Sequence, residues 1–318
     1  MTPGGTAVTT VLGPRQLHEG VIDAHAHIWI APVPGGAPDA PVLDDEHAIT
    51  TELRAFARMR GVALIDCQPP GCGRDPRRLV RIAEATGVDV IASTGFHLAR
   101  YYPPGAAALV ADADDLAAIF VAELCEGMVT DDGERVGACA GVVKAAHEGG
   151  LDADFHRRIS AATAAACAVG VPLVVHTERG GHVEQLAQAL LALGMSAQDI
   201  MLCHLDKRPD LGLHRELAQA GFLLEYDTFL RPRYEPERNV WPLLDAMLAE
   251  GHARSIACAT DLADRSMWRF GGHPIGVLGL AGVVPDGLRR RGASDAQVRA
   301  LIGGNVAARL QGARSVAI

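Results

Sequence analysis

The sequence predicts an α/β fold of the (β/α)8 (TIM) barrel class, formed by one chain of 318 residues. Eight short apolar runs recur along the chain and alternate with longer segments of helical spacing, as in a parallel sheet covered by helices. The length exceeds that of most single-core domains, but barrels of this class regularly exceed about 250 residues. No GxGxxG or GxxxxGK[ST] loop follows any run, which disfavours the alternative, a doubly wound open sheet. We therefore predict one domain over residues 1–318.

Each predicted strand is a short apolar run bounded by polar or glycine residues. The eight strands are predicted at residues 21–26, 62–66, 88–94, 141–145, 172–176, 200–204, 222–226 and 256–261. Amphipathic helices are predicted between them, for example at residues 75–85, 152–169, 183–193 and 237–250. Gly87 and Gly170 directly follow two of these helices, where a left-handed cap is common.

The composition indicates a globular protein that acts on a small molecule. Apolar residues make up 49% of the chain and charged residues 21%, which excludes a disordered or collagen-like chain. The net charge of −9 gives no overall basic field, so nucleic acid is not an expected partner. No signal peptide or membrane span is recognisable, and the seven scattered cysteines are typical of reduced thiols. We therefore expect a cytoplasmic protein.

Polar side chains stand out on several of the predicted strands, towards their carboxyl ends. In the first strand His25 and His27 are two residues apart, so both imidazoles point to the same side. The polar residues of the later strands are Lys144, His176, His204 and Asp261. All strands of a barrel end at one mouth, where barrel enzymes carry their chemistry. One such residue alone would be an ordinary polar strand end, but six in strand order predict a metal site.

Lys144 is informative because only two of the 29 basic residues are lysines. An ammonium group inside an apolar strand is unfavourable unless its pKa falls or the amine is modified. Carbamylation by carbon dioxide would give a carboxylate that can bridge two metal ions. A Schiff-base lysine is the competing interpretation, but the nearby histidines favour metal. We expect two divalent ions, with zinc first and manganese, iron or cobalt as alternatives, and N6-carboxylysine at position 144.

These residues resemble the phosphotriesterase-related branch of the amidohydrolase superfamily, and in particular its lactonase members. The resemblance extends from residues 10–14 to residues 304–309. Its motifs are DAHAH at 23–27, GVVK at 141–144, PLVVHT at 172–177, CHLD at 203–206 and ATD at 259–261.

The resemblance implies a binuclear metal-dependent hydrolase. The six polar residues would be divided between the ions, with His25, His27 and Asp261 at the more buried ion, His176 and His204 at the more exposed one, and carbamylated Lys144 at both. A hydroxide shared by the two ions would be the nucleophile, and Asp261 would accept its proton and pass it to the leaving oxygen. A homodimer is the assembly that the resemblance suggests.

Basic and aromatic residues in the loops predict an anionic substrate. The predicted substrate-binding residues are Arg231, Arg233, Tyr234, Arg265, Trp268 and Glu178. Arginines here could hold a carboxylate or a phosphate. Alternatively, the arginines pair with surface acids, the two aromatic rings pack beneath a loop, and the glutamate orients a metal ligand.

Two loops depart from the family pattern. The segment 227–234 does not resemble the apolar leaving-group pocket of organophosphate hydrolases and looks more like the lactonases. The segment 264–269 is similar to the corresponding loop of phosphosugar lactonases, but it has Asp264 and Met267 in place of an arginine and a tyrosine. Phosphate recognition of that kind is therefore not carried over to this chain.

The predicted function is hydrolysis of a small, anionic sugar or phosphosugar lactone. A phosphotriesterase and an N-acyl amino acid amidohydrolase are alternatives within the enzyme class. A metal-binding barrel that has lost catalysis is the non-enzymatic alternative, and the complete set of metal ligands argues against it.

Overall fold

A barrel of eight parallel strands forms the centre of the computed structural model, which describes residues 7–312. Residues 1–6 and 313–318, the ends of the predicted domain, lie outside the described residues. An antiparallel hairpin, β1 (Val8–Thr10) and β2 (Gly13–Arg15), precedes the barrel. The barrel strands are β3 (Val21–Ala26), β4 (Gly61–Asp66), β5 (Asp89–Gly95), β6 (Val142–His147), β7 (Leu173–Thr177), β8 (Ile200–Cys203), β9 (Leu223–Tyr226) and β10 (Ile256–Cys258). Each pairs with the next in chain order, as predicted for a (β/α)8 barrel.

Helices cover the outside of the barrel. The helices are α1 (Glu46–Arg58), α2 (Pro76–Thr86), α3 (Ala107–Val110), α4 (Ala113–Cys125), α5 (Ala153–Val169), α6 (Val183–Ala192), α7 (Leu211–Ala220), α8 (Val240–Ala249), α9 (Leu278–Ala281), α10 (Val283–Arg290), α11 (Asp295–Arg299) and α12 (Asn305–Gly312). Local sequence sets several of these boundaries. Asp75 and Asp152 cap the first turns of α2 and α5, and Gly87 and Gly170 end them in the left-handed conformation.

The barrel interior is filled by apolar side chains from alternating strand positions, such as Ile22, Ile65, Val174 and Met201. A larger cluster fills the space between the strands and the helices. The barrel closes where the segment after β10 meets β3 through a parallel bridge between Ala26 and Leu262. The interior is therefore a packed core, and in barrels of this class the chemistry takes place at the carboxyl end of the strands.

Five predicted strands end at a different residue from the observed ones, and in β5 and β7 the observed strand is one residue longer at this end. β6 continues to His147, so Lys144 lies within the strand and not at its end. β8 and β10 stop at Cys203 and Cys258, before His204 and Asp261. Both of these residues have a positive φ, 65° and 45° respectively, which an extended strand does not allow. The backbone turns at the two residues because they leave the sheet and enter the site.

No helix among residues 7–312 is long and apolar enough to cross a membrane. All seven cysteines are free, and four of them are buried. This agrees with the prediction of unpaired thiols.

Candidate metal centre

All six predicted metal ligands meet at the carboxyl end of the barrel, and we call them the ligand cluster: His25, His27, Lys144, His176, His204 and Asp261. Lys144 Nζ lies 3.1 Å from His25 Nε2. The ring centroid of His25 is 5.5 Å from that of His27 and 4.7 Å from that of His204. His204 Nε2 lies 2.9 Å from Nδ1 of His176. Side chains from opposite sides of the barrel therefore converge on one small volume.

Asp261 stands between the two groups of histidines. Its Oδ1 lies 3.7 Å from His25 Nε2, and its Oδ2 lies 3.7 Å from His204 Nδ1. The backbone N–H of Asp261 donates a hydrogen bond of 2.8 Å to the carbonyl of His25. The contact that closes the barrel therefore also positions this carboxylate.

Arg231 lies above the ligand cluster, and its polar contacts are with Asp261 and the preceding residue, Thr260. Its Nη2 lies 2.8 Å from Asp261 Oδ2 and donates to the backbone carbonyls of Thr260, at 3.1 Å, and of Asp261. Burial raises the pKa of Asp261, but the neighbouring cations, Arg231 above all, outweigh burial, so the pKa lies well below its usual value. Asp261 is therefore ionised, and the contacts of Arg231 are those of a residue that holds this carboxylate.

Two carboxylates at the end of β9 contact the outer ring nitrogens of cluster histidines. Glu225 Oε1 lies 3.0 Å from Nδ1 of His25. Asp227 Oδ2 is hydrogen bonded to Nδ1 of His204. Sequence reasoning missed both acids, although residues 225 and 227 alternate in the same way as His25 and His27 and could have been found by that signal.

Gln68 was also missed, and it supports His27 from the loop after β4. Its Oε1 lies 2.6 Å from His27 Nδ1, while its amide nitrogen reaches the backbone carbonyl of Cys72. The Nδ1 atoms of His25, His27 and His204 thus all face protein partners, so each ring is turned with its Nε2 towards the site. An outer partner that fixes the ring in this way is characteristic of metal-binding histidines.

The donor set fits divalent metal ions. Donor atoms of His25, His27 and Asp261 lie within 4.8 Å of one another, and so do those of His204, Asp227 and Asp261. Burial lowers the pKa of all four cluster histidines, that of His27 to about 3, so the imidazoles are neutral as metal ligands must be. Imidazole nitrogen and carboxylate oxygen suit zinc and related transition metals.

A cavity of about 530 Å³ opens above the ligand cluster, a size suited to a small molecule. The predicted substrate-binding residues that line it are Arg231, Arg233, Tyr234 and Glu178. Lys207 also lines it, and the Lys207 Nζ and Arg233 Cζ atoms lie 5.6 and 4.9 Å from the centre of the Tyr234 ring. Glu178 Oε2 is 3.4 Å from His176 Nε2, so this acid also contacts a member of the ligand cluster.

The structure does not bring Trp268 and Arg265 to this cavity. Two short 3-10 turns, Arg265–Met267 and Arg269–Gly271, fold their loop back on itself. Trp268 is fully buried with its ring 5.7 Å from that of Phe270, and Arg265 stacks on the same phenylalanine at 5.2 Å. The expectation that these two residues contact substrate is corrected accordingly, and Met267 lies at the cavity wall from this loop.

Comparison with known proteins identifies the family to which this site belongs. The sequence profile of the phosphotriesterase family matches residues 6–308. The chain belongs to the phosphotriesterase family. This phosphotriesterase-family chain is 29% identical over 246 residues to a phospho-furanose lactonase of Mycoplasmopsis agalactiae, covering 72% of this chain and 69% of that protein. It is 30% identical over 281 residues to the N-acetyltaurine hydrolase of Mus musculus, covering 82% and 77% of the two chains.

Solved structures of related proteins have the same barrel. An amidohydrolase from Mycoplasma synoviae superposes with a TM-score of 0.89 at 25% identity, covering 96% of this chain and 92% of that one. A lactonase from Listeria monocytogenes superposes with a TM-score of 0.87 at 20% identity, covering 97% and 99%, and supports the fold alone. The predicted fold and family are confirmed, and this phosphotriesterase-family member is a hydrolase.

Proposed function

We propose that this chain is a binuclear metal-dependent lactonase whose substrate is a small anionic lactone, with a phosphorylated sugar lactone as the first candidate. The observation that carries the proposal is the convergence of four neutral histidines, Lys144 and Asp261 beneath a cavity that also contains Lys207 and Arg233. The relative from Mycoplasmopsis agalactiae, a phospho-furanose lactonase, supports the substrate class.

The ligand cluster would hold two divalent ions, zinc in the first instance. His25, His27 and Asp261 would bind one ion, and His176 and His204 the other. When bound, the ions would polarise the scissile carbonyl and lower the pKa of the attacking water towards ~7.

Lys144 would join the two ions as a carbamate. Its neutral amine nitrogen forms a bond to the carbon of carbon dioxide and loses one proton, which leaves a carboxylate. The unmodified ammonium group would compete with a metal for the Nε2 lone pair of His25, 3.1 Å away, and would repel a dication. Carbamylation removes both conflicts, and an arginine could not undergo it.

Asp261 would be the acid–base residue. As an ionised carboxylate it can accept the proton of the attacking water. It then delivers that proton to the ring oxygen when the lactone C–O bond breaks. The ion pair with Arg231 keeps Asp261 ionised and fixes its orientation.

Lys207 and Arg233 would bind the anionic group of the substrate. Both cations flank the Tyr234 ring, and within residues 7–312 no ion pair forms at Arg233. Lys207 Nζ lies 3.8 Å from Asp261 Oδ2, so an anion held by this lysine would lie close to the reacting bond. A charged contact inside a cavity is stronger than the same contact on an open surface.

Amide hydrolysis is the second candidate function. The N-acetyltaurine hydrolase of Mus musculus covers a larger share of this chain than the lactonase relative does. A sulfonate could use the same two cations as a phosphate, so the anion site is compatible with either substrate. The reacting bond, ester or amide, distinguishes the two functions.

The test is a metal and substrate screen of the purified protein. Metal-free protein is reconstituted with zinc or manganese, its metal content is measured, and hydrolysis is followed with phosphorylated furanose lactones, their unphosphorylated counterparts, N-acetyltaurine and aryl dialkyl phosphotriesters. We expect two ions per chain and at least about a tenfold higher kcat/KM for phosphorylated lactones, which corresponds to ~1.4 kcal/mol from the charged contacts. A saturating ratio of one ion per chain would contradict the binuclear centre. Higher kcat/KM for N-acetyltaurine or a phosphotriester would replace the lactonase assignment.

A further inference from the structure

Glu225 is a buried acid for which the proposed reaction has no step. It lies in β9 with both carboxylate oxygens buried, and within residues 7–312 neither accepts a hydrogen bond from an N–H group. His25 Nδ1 lies 3.0 Å from Oε1, but the two groups are not aligned as in a hydrogen bond. The thiol of Cys203, on the adjacent strand, also lies beside it. Burying a carboxylate with so little compensation is unfavourable, so its presence needs an explanation.

The proton positions on His25 follow from its two neighbours. In the metal-free chain, before Lys144 is carbamylated, its ammonium Nζ lies 3.1 Å from Nε2 and is a donor, so Nε2 presents its lone pair. The ring proton of the neutral imidazole then lies on Nδ1, the nitrogen that is 3.0 Å from Glu225 Oε1. This is the tautomer that a metal ligand binding through Nε2 requires.

Asp227 has the same position relative to His204, and it makes the hydrogen bond that Glu225 lacks. It lies two residues after Glu225, and it hydrogen bonds to Nδ1 of His204, whose Nε2 faces His176. The end of β9 therefore presents one carboxylate to a histidine of each proposed metal site.

We propose that Glu225 is a positioning residue that holds His25 in the Nε2-ligating tautomer and orientation; this inference rests on the metal centre of the proposed function. Metal on Nε2 makes the Nδ1–H a stronger donor, and the positive charge of the ion offsets the buried carboxylate. Glu225 thus has its full set of favourable contacts only when the site is loaded.

The experiment measures metal affinity and does not depend on turnover. Three variants are made: Glu225→Leu, which removes the acceptor; Glu225→Gln, which keeps an acceptor oxygen; and Glu52→Gln as the matched control. Glu52 is also buried, but it accepts backbone N–H groups of Arg269 and Val277 away from the ligand cluster. Metal-free proteins are titrated with zinc against a chromophoric chelator, and urea unfolding of the metal-free forms records stability separately.

We expect Glu225→Leu to weaken one of the two zinc affinities by about 10- to 100-fold, the usual effect of losing an outer partner of a ligand. Glu225→Gln should recover most of that loss, and Glu52→Gln should change stability without changing either affinity. Two zinc affinities equal to wild type in a folded Glu225→Leu protein would overturn the inference. If Glu225→Leu does not fold, Glu225→Gln decides, because binding of only one zinc ion by that variant would make Glu225 a direct ligand.

The wild-type titration separates this inference from the proposed function. Wild-type protein that binds no divalent ion overturns both. Two bound ions together with an unaffected Glu225→Leu variant overturn only the role of Glu225. Two bound ions with the expected loss support that role even when no lactone is hydrolysed.

Discussion

Replacing Arg231 with methionine tests whether this side chain holds Asp261 or the substrate. Arg231 and Asp261 are only 8% and 6% exposed, and their charged groups are 2.8 Å apart. Removing one partner of a buried ion pair costs about 3–5 kcal/mol, because the other charge stays buried without compensation. We expect the metal-free variant to lose a free energy of unfolding of this order. The metal-loaded variant should lose less, since the ions would compensate the carboxylate.

The same variant should alter turnover through Asp261. Arg231 is the neighbour that most strongly lowers the pKa of this carboxyl, which burial alone would raise. In its absence the pKa of Asp261 rises. A carboxylate that must accept a proton loses function as the pH falls through its pKa, so the acid limb of kcat should move to higher pH. The variant should also have a lower kcat, and the decrease should be similar for neutral and for anionic lactones.

Urea unfolding of the metal-free and zinc-loaded proteins, together with kcat and KM for a phosphorylated and a neutral lactone, measures these effects. Arg265→Met is the control, because this arginine is exposed and does not line the cavity. A variant of Arg231 with unchanged stability and a raised KM for the phosphorylated lactone alone would refute the reasoning. Arg231 would then be a substrate ligand.

Four further predictions concern the ligand cluster, the anion site and pH. Lys144→Ala should lose bound metal and activity, and short-chain carboxylic acids should restore part of both; full activity and metal content in Lys144→Arg would exclude the carbamate. Asp261→Asn should keep the circular dichroism spectrum but lower kcat by about 10² to 10⁴, and unchanged kcat would remove this residue from the mechanism. Arg233→Met should raise KM for a phosphorylated lactone more than it lowers kcat, with the neutral lactone unaffected. An unchanged ratio of the kcat/KM values for the two lactones would show that Arg233 does not contact the substrate. His214 is buried beside the Tyr226 hydroxyl, and burial lowers its pKa to about 4, so the unfolded chain binds its proton first as the pH falls from 7 to 5. In urea unfolding, wild type should lose about 2 kcal/mol more than His214→Gln over that interval, and equal losses would contradict the buried neutral imidazole.

The strands of the barrel could be predicted because each is buried on both faces and reads as a continuous apolar run. Each predicted run overlaps one observed barrel strand. The hairpin Val8–Thr10 and Gly13–Arg15 was not predicted, because three-residue strands are too short to show alternation. The four-residue helices Ala107–Val110 and Leu278–Ala281 were missed for the corresponding reason, since one turn shows no helical period.

The ligand cluster could be predicted because its members lie in or shortly after barrel strands, and the strands are arranged in the barrel in the order of the sequence. The substrate loops could not, because the direction of a side chain there depends on turns that leave no periodic signal. Trp268 is the clearest case, since two 3-10 turns direct its ring into the loop core. Glu225 was missed for a different reason: its strand was interpreted as an apolar run, and the acid within it was given no role.

The contacts that close the barrel involve the same residues as the candidate metal centre. β10 is only three residues long, and beyond it the chain joins β3 through the bridge between Ala26 and Leu262 and the hydrogen bond from Asp261 to the His25 carbonyl. Asp23 adds to these closing contacts, because its Oδ1 accepts hydrogen bonds from the backbone N–H groups of Thr260, at 3.0 Å, and of His25, at 3.2 Å. A metal ion held by His25 of β3 and by Asp261 would cross-link the first barrel strand to the segment that follows the last one. Its binding free energy would then also stabilise the closed barrel and would offset the cost of the left-handed backbone that Asp261 adopts to reach the site.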